Sequence, residues 1–405
     1  MKQGDFFAFL GNFNSSILKR RYVVKIIEAI SDMNIGGAGV LLVTRLRADK
    51  DMRDRTVVVL PKGSMLIKRM LEIGVRVIEV EACRDRSFDV FAIPKYVRII
   101  KQVSPDTVNC HGCLSFRIAA LLCGVPVRIY TRHCAFPIKE WQKNFILKSI
   151  VGRFQMILSN GIIAVAEAAK NDLVDMGVDP SRVRVIINGV KGLERFSEDE
   201  RLNIRRSLSI PRDAVVVGIF ARLEAYKGHM DLIEAASILL SYSDKYRFLI
   251  VGGGSLEKML KDICKKKGIY EKFIFTGFVD DVTTYFNVTD INVNCSHGTE
   301  TSSLALSEGM SLGIPCIASD FGGNGYMVQN DVNGFVYPVY DGKRLAVLIE
   351  KISDDGALRE RLSRNAYMRF SGELNDKKMT EATYSYYTQL RSVKAKGLSG
   401  IHQNS

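Results

Sequence analysis

The chain has 405 residues, 47% of them hydrophobic and 25% charged, and its mean hydropathy is +0.03. That length suits two or three domains of about 150 residues, the apolar content suffices for two cores, and no apolar run approaches the roughly 18 residues of a membrane span. The net charge of +13 is uneven: residues 1–188 hold 29 Lys and Arg against 17 Asp and Glu, and the remainder is nearly neutral. Such a field attracts phosphorylated substrates, an anionic lipid face or nucleic acid, and a solvated basic surface accounts for it equally well. No nucleic-acid motif or aromatic–basic interleaving is present, so nucleic acid is not an expected partner.

In chain order, the first ten residues carry only a five-residue apolar patch, too short for a secretory core and followed by no small-residue cleavage site. A cytoplasmic location is expected. Short apolar runs at 22–27, 56–60, 75–80, 107–109, 127–130, 161–165 and 183–186 predict strands, with helices over 37–46 and 64–73. A polar, turn-rich stretch over 188–202 reads as a linker. A second strand series follows at 214–219, 248–251, 273–275, 291–294 and 315–318, and a last helix at about 374–392, after which a small, polar tail is expected to fray. The alternation predicts an α/β protein of two Rossmann-like, doubly wound domains facing across a cleft. We place the first over 1–190, the second over 191–373, and a C-terminal helix and tail over 374–405.

The eight cysteines lack the spacing of a disulfide framework and read as reduced thiols. Cys110, Cys113, Cys123, His133 and Cys134 have a spacing compatible with zinc, but Cys123 stands in an apolar helical run where a small thiol is a core residue. No metal is expected.

Three segments carry chemistry. Residues 294–308 follow a strand and enter a helix at Ser302 or Ser303, both good N-caps, so free amides there form an anion site. Glu300 precedes that helix and Glu308 lies within it; carboxylates accept paired hydroxyls, although two Glu eight apart also suit a helix start. Residues 220–229 leave the first strand of the second series, placing Arg222 and Lys227 where open α/β sheets bind ligands and where two cations stabilise a departing diphosphate. Gly252, Gly253 and Gly254 permit close backbone approach, without the spacing of a dinucleotide site. In the first domain, residues 34–39 form a second candidate phosphate cradle.

These segments, in this order, resemble the family 4 retaining glycosyltransferases of GT-B fold. The resemblance runs over about residues 22–345 and rests on Gly36-Gly37-Ala38, Thr131-Arg132-His133, Asn188-Gly189-Val190, Arg222 with Lys227, Val251 to Gly254, Thr276 to Val279, Glu300 with Glu308, Gly313-Ile314-Pro315 and Gly322-Gly323-Asn324. It implies that Arg222 and Lys227 grip the diphosphate of a nucleotide-sugar donor, a UDP-sugar in the first instance, and that Glu308 takes the ribose hydroxyls. Glu300 then faces the transferred sugar, backbone groups of Thr301, Ser302, Ser303 and Leu304 meet sugar and phosphate, and Phe278 borders the base. Gly37 lets the first domain close on the donor, and His133 contacts sugar or acceptor, with His111 a rival for that role. The acceptor is a saccharide or a lipid-linked saccharide, the anomeric configuration is retained, no metal takes part, and the last helix crosses back to the first domain. Thr301-Ser302-Ser303 replaces a Gly-rich triplet, and Gly325-Tyr326 stands where many members have a Glu.

Three other readings are weighed against this one. A metal-dependent transferase needs an Asp-x-Asp site, and the only such spacing, Asp49-Lys50-Asp51, lies in a charged run. An epimerase on the same scaffold acts on the donor alone, and a binding protein has no turnover. Trp141 and the run 145–150, on the basic first half, raise docking to an anionic membrane face against a core-facing amphipathic helix.

Overall fold

The computed structural model describes residues 26–82, 84–134, 144–298 and 300–399. It contains two parallel sheets. The first comprises β1 (Ile26–Ile30), β2 (Thr56–Pro61), β3 (Arg76–Val80), β4 (Thr107–His111), β5 (Val127–Arg132), β6 (Gly161–Ala164) and β7 (Val183–Val185), in the order β3-β2-β1-β4-β5-β6-β7. The second comprises β8 (Val215–Phe220), β9 (Tyr246–Val251), β10 (Phe273–Gly277), β11 (Ile291–Asn294), β12 (Cys316–Ser319) and β13 (Gly334–Tyr337), in the order β10-β9-β8-β11-β12-β13. Every pairing is parallel. Strands covered on both faces read as continuous apolar runs, and β2 and β12 are buried at every position.

Strand order reverses between β1 and β4 in the first sheet and between β8 and β11 in the second. A crevice opens beyond the strand ends at each such switch point. The ends of these four strands and the segments leaving them carry Gly37, His111, Arg222, Lys227 and Glu300, so topology delivers the candidate residues to two crevices.

Three expectations need correction. Residues 22–25 of the first predicted strand lie outside the described residues, and β1 continues to Ile30, three residues past the expected end. The predicted linker contains a helix, Glu198–Ser207, started by a capping box in which Ser197 and Glu200 bond each other's backbone N–H. β13 had no counterpart in the sequence reading.

The Asp376–Ser399 helix packs on the first sheet, not the second, with Tyr384, Tyr386 and Tyr387 buried beside Ile26, Val127 and Ile163. The chain enters it through a π-helical turn, Phe370–Leu374. At the same crossing the Val190 N–H bonds the Leu374 carbonyl and the Asp376 N–H bonds the Val190 carbonyl. A Cβ on Gly189 would come within 2.0 Å of the Asn375 carbonyl oxygen, so only glycine lets the two interdomain crossings lie this close.

Cys110 and Cys113 are buried under the first sheet with Cys123 packed against them, while Cys134 lines a cavity. Burial pushes the Cys110 thiol well up and raises Cys123 as well. Among the described residues, no three His, Cys, Asp or Glu side chains are grouped to hold a metal. Asp49 caps a short helix by accepting the Met52 N–H, which accounts for one of the paired aspartates.

Candidate active site between the two sheets

On the second sheet, the loop after β8 ends in one 3-10 turn, Ala225–Lys227, and Gly228. Gly228 has a φ of 68°, and a Cβ there would come within 2.0 Å of the Cys295 carbonyl oxygen. The His297 N–H also bonds the Tyr226 carbonyl at 2.9 Å. The β8 and β11 loops are thus clasped together, which places the Lys227 ammonium 2.7 Å from Glu300 Oε2 with both side chains largely buried. Ser296 Oγ donates to the same carboxylate oxygen at 2.9 Å, and Asn294 Nδ2 reaches it at 3.4 Å. An ammonium has three protons and only one points at Glu300, so Lys227 keeps donors for a ligand. Arg222 is exposed at the cleft and donates to the Tyr226 hydroxyl at 2.6 Å.

Ser303 caps the Leu304–Ser311 helix by accepting the Leu306 N–H, and Asn294 Nδ2 donates to its hydroxyl at 2.9 Å. The remaining first-turn amides of this helix have no intrahelical acceptor and face the anion-favouring end of the dipole. Behind the loop, Gly322 and Gly323 are required by contact: a Cβ on either would come within 1.8 or 1.7 Å of the Glu300 or Thr301 carbonyl oxygen. Gly252 and Gly254 have a different role from the one expected. Their Cβ atoms would strike the carbonyls of Ala221 and Leu223, at 2.1 and 2.5 Å, so what approaches them is the Arg222 loop itself.

Two cavities meet here. One, of about 300 Å³, is bounded by Gly37, Arg222, Lys227, Glu300, Ser302 and Ser303. The other, of about 460 Å³, shares Gly37, Arg222, Lys227, Glu300, Ser302 and Leu304 and extends under β4 and β5 to His111 and His133. Thr301 lines the second cavity. A Cβ on Gly37 would enter open space, so its absence enlarges the shared cleft without being a packing need. Nine of the eleven residues singled out in the sequence therefore line one continuous cleft.

Glu308 and Phe278 do not line it. Glu308 sits one helical turn beyond Leu304 and on the same face. Its half-buried carboxylate has no partner among the described residues, and burial pushes it up to about 7. Phe278 follows β10, with 77% of its surface exposed. Tyr326, at the departure from the family pattern, donates to Glu373 at 2.7 Å under the Arg369 guanidinium, tying the β12 loop to the interdomain crossing.

Sequence reading missed the group behind His133. Glu28 on β1 is wholly buried and receives Arg45 at 2.6 Å, His111 Nε2 at 2.9 Å, Asn109 Nδ2 at 2.9 Å and the Tyr387 hydroxyl at 2.9 Å. Burial pulls its carboxyl upward, but the Arg45 charge and the bonds from His111 and Tyr387 hold it below the usual range. His111 Nδ1 lies 2.7 Å from His133 Nε2. The one available signal was an acid inside an apolar strand, Ile26-Ile27-Glu28-Ala29-Ile30, which a buried partner must explain.

Residues 200–369 match the family model "Glycosyl transferases group 1" and residues 35–191 match "Glycosyltransferase Family 4". An uncharacterized glycosyltransferase of Methanocaldococcus jannaschii is 29% identical over 277 residues, 64% of this chain and 69% of that protein. The Escherichia coli UDP-Gal:alpha-D-GlcNAc-diphosphoundecaprenol alpha-1,3-galactosyltransferase is 27% identical over 289 residues, 68% and 74% of the two chains. Among solved structures, Anabaena HepE in complex with UDP superposes with a TM-score of 0.79 at 20% identity, over 90% of this chain and all of that one. With two facing doubly wound sheets and two family models that together span most of its length, the chain belongs to the family 4 glycosyltransferases of GT-B fold.

Proposed function

We propose that the protein is a retaining glycosyltransferase that moves a hexosyl group from a UDP-sugar to a saccharide or lipid-linked acceptor, without a metal. The observation that carries this reading is the Lys227–Glu300 pair, beside Arg222, at the second switch point and facing Gly37 across the cleft. A diphosphate leaving group gains negative charge as the sugar departs, and preplaced cations stabilise that charge where it develops. Arg222 and Lys227 fill this role, with backbone groups of Thr301, Ser302, Ser303 and Leu304 completing the anion site. Displacing Lys227 toward a diphosphate frees Glu300 to take hydroxyls of the transferred sugar. Glu308, an acid without a partner among the described residues, takes the ribose diol, and Phe278 borders the base. His133 meets sugar or acceptor from the opposite wall. The acceptor hydroxyl attacks on the leaving-group face, and the departing phosphate takes its proton. HepE in complexes with UDP and with UDP-glucose, and the E. coli relative named for UDP-Gal, support a uridine nucleotide.

A lipid-linked acceptor is favoured by the Phe145–Leu158 helix. Gly152 lets one face of it sit tightly on the turn at Gly177, where a Cβ would lie 1.9 Å from the Gly177 carbonyl oxygen. The other face presents Ile146, Ile150, Phe154 and Ile157, with Phe145 at 82% exposure and Arg153 among them. No helix among the described residues is long and apolar enough to cross a membrane. An apolar face with basic flanks on a basic domain suits the plane of an anionic lipid surface. Trp141 lies outside the described residues.

The test is a panel of nucleotide sugars offered with free and polyprenyl-diphosphate-linked saccharides, in the presence of a chelator, with the product anomer read by NMR. Transfer from a UDP-sugar with unchanged anomeric configuration is expected, together with flotation on anionic liposomes. An inverted product, activity abolished by the chelator, or an isomerised free sugar with no transfer would each overturn the corresponding part of the reading.

A further inference from the structure

The chemistry of the second cavity turns on which nitrogen of His133 carries a proton, and the chain settles that from a distance. Glu28 is held as a carboxylate by Arg45, so its oxygens only accept. His111 Nε2, 2.9 Å from Glu28, therefore carries a proton. In neutral His111 the other nitrogen, Nδ1, is then a bare acceptor. It lies 2.7 Å from His133 Nε2, and that contact needs one proton, which His133 supplies. His133 is left with an unprotonated Nδ1, buried and without a partner among the described residues, on a side chain that lines the 460 Å³ cavity.

We propose that Glu28 and His111 are positioning residues that fix His133 as the tautomer whose Nδ1 accepts a hydrogen bond from a carbohydrate hydroxyl in the cleft. The inference rests on the glycosyltransferase reading for its ligand. The wiring joins four elements: Glu28 from β1, His111 from β4, His133 after β5 and Tyr387 from the C-terminal helix, whose hydroxyl holds the second carboxylate oxygen at 2.9 Å. Asn109 steadies the arrangement, donating to Glu28 and accepting from Thr131 Oγ at 2.8 Å.

Burial, with His111 and Arg45 nearby, holds His133 itself well below the usual histidine range, so its ring stays neutral and the placement of its single proton decides its role. The other charged groups facing the pair are Asp32 after β1, whose carboxyl is raised chiefly by burial, the Arg132–Asp172 pair, and Lys227 with Glu300 across the cleft.

The experiment is long-range nitrogen–proton NMR on the full chain labelled with ¹⁵N-histidine, with the His133 signals assigned by their loss in His133→Gln. The free protein at neutral pH is expected to show His133 protonated on Nε2 and bare on Nδ1. In His111→Phe the tautomer becomes a mixture and transfer falls about tenfold. UDP binding is expected to stay unchanged. Wild-type His133 carrying its proton on Nδ1 at neutral pH overturns the proposal, as does an unaltered tautomer in His111→Phe. The wild-type spectrum decides even if that variant does not fold. Failure of the wild-type protein to bind any nucleotide sugar sinks the functional reading while leaving the tautomer result standing.

Discussion

The two walls of the cleft handle charge in opposite ways. On the second sheet, Lys227 and Glu300 pair at the cavity surface with donors to spare, and Arg222 is exposed. These groups can exchange one another for a ligand. On the first sheet, Glu28 and Arg45 are buried against each other, and Glu28 also receives His111, Asn109 and Tyr387. Removing a charge from the first wall costs folding free energy, because its partner stays buried and unpaired. Removing Lys227 from the second costs binding and rate above all, because Glu300 keeps Ser296 and Asn294 as donors. One wall is built to change partners and the other to hold a single side chain still.

The contrast can be broken experimentally, starting where the effect is largest. Glu28→Ala leaves Arg45 buried without a counter-charge, and a loss of about 3–5 kcal/mol is expected in denaturant unfolding. A variant as stable as the parent would show that the pair is dispensable. Lys227→Ala is expected to lower the transfer rate by two to three orders of magnitude, about 3–4 kcal/mol of barrier, with an unchanged unfolding midpoint. A comparable drop in stability would mean that this wall is structural too.

Gly322→Ala probes the junction between these extremes. With a φ of 59° and a Cβ only 1.8 Å from the Glu300 carbonyl oxygen, the alanine must move the acid loop. A cost of about 2 kcal/mol is expected, with a fall in melting temperature of about 4–8 °C and weakened UDP binding. An unmoved melting temperature would show that the loop yields freely.

The smallest effect concerns Glu308. Because burial raises its carboxyl to about 7, it is protonated below that pH and a poor acceptor for ribose hydroxyls. UDP affinity should therefore fall as the pH drops through about 7, and Glu308→Gln should flatten the profile, as read by calorimetry. The stability sign is the reverse of an ion-paired acid: the folded pKa is raised, so the wild type loses stability as pH rises from the unfolded value toward 7. Glu308→Gln should lose less over that interval. Parallel profiles for the two proteins would remove Glu308 from the binding site.

Much of this was open to reading from the chain. The apolar strand runs mark β2 to β12 because parallel strands buried on both faces carry their signal locally. The β8 and β11 loops show their charges immediately after such runs. The Glu198–Ser207 helix also had a local signal, Ser197 followed by Glu200, inside a segment otherwise polar enough to pass for linker. β13 is four residues opening on glycine and closing just before Pro338, too short and too turn-like for periodicity to mark.

By itself, the order of residues determined that two sheets form and that Arg222, Lys227 and Glu300 stand at strand ends, since burial and strand length act over a few neighbours. Only the tertiary structure decided that Glu28, His111 and Tyr387 meet behind His133. Glu28 and His111 are 83 positions apart in the chain, and Glu28 and Tyr387 are 359 apart. They become neighbours because β1 lies beside β4 and the last helix returns to the first sheet. A carboxylate in an apolar strand announces that some partner exists; which side chains answer it is set by strand order, and strand order is a property of the whole folded chain.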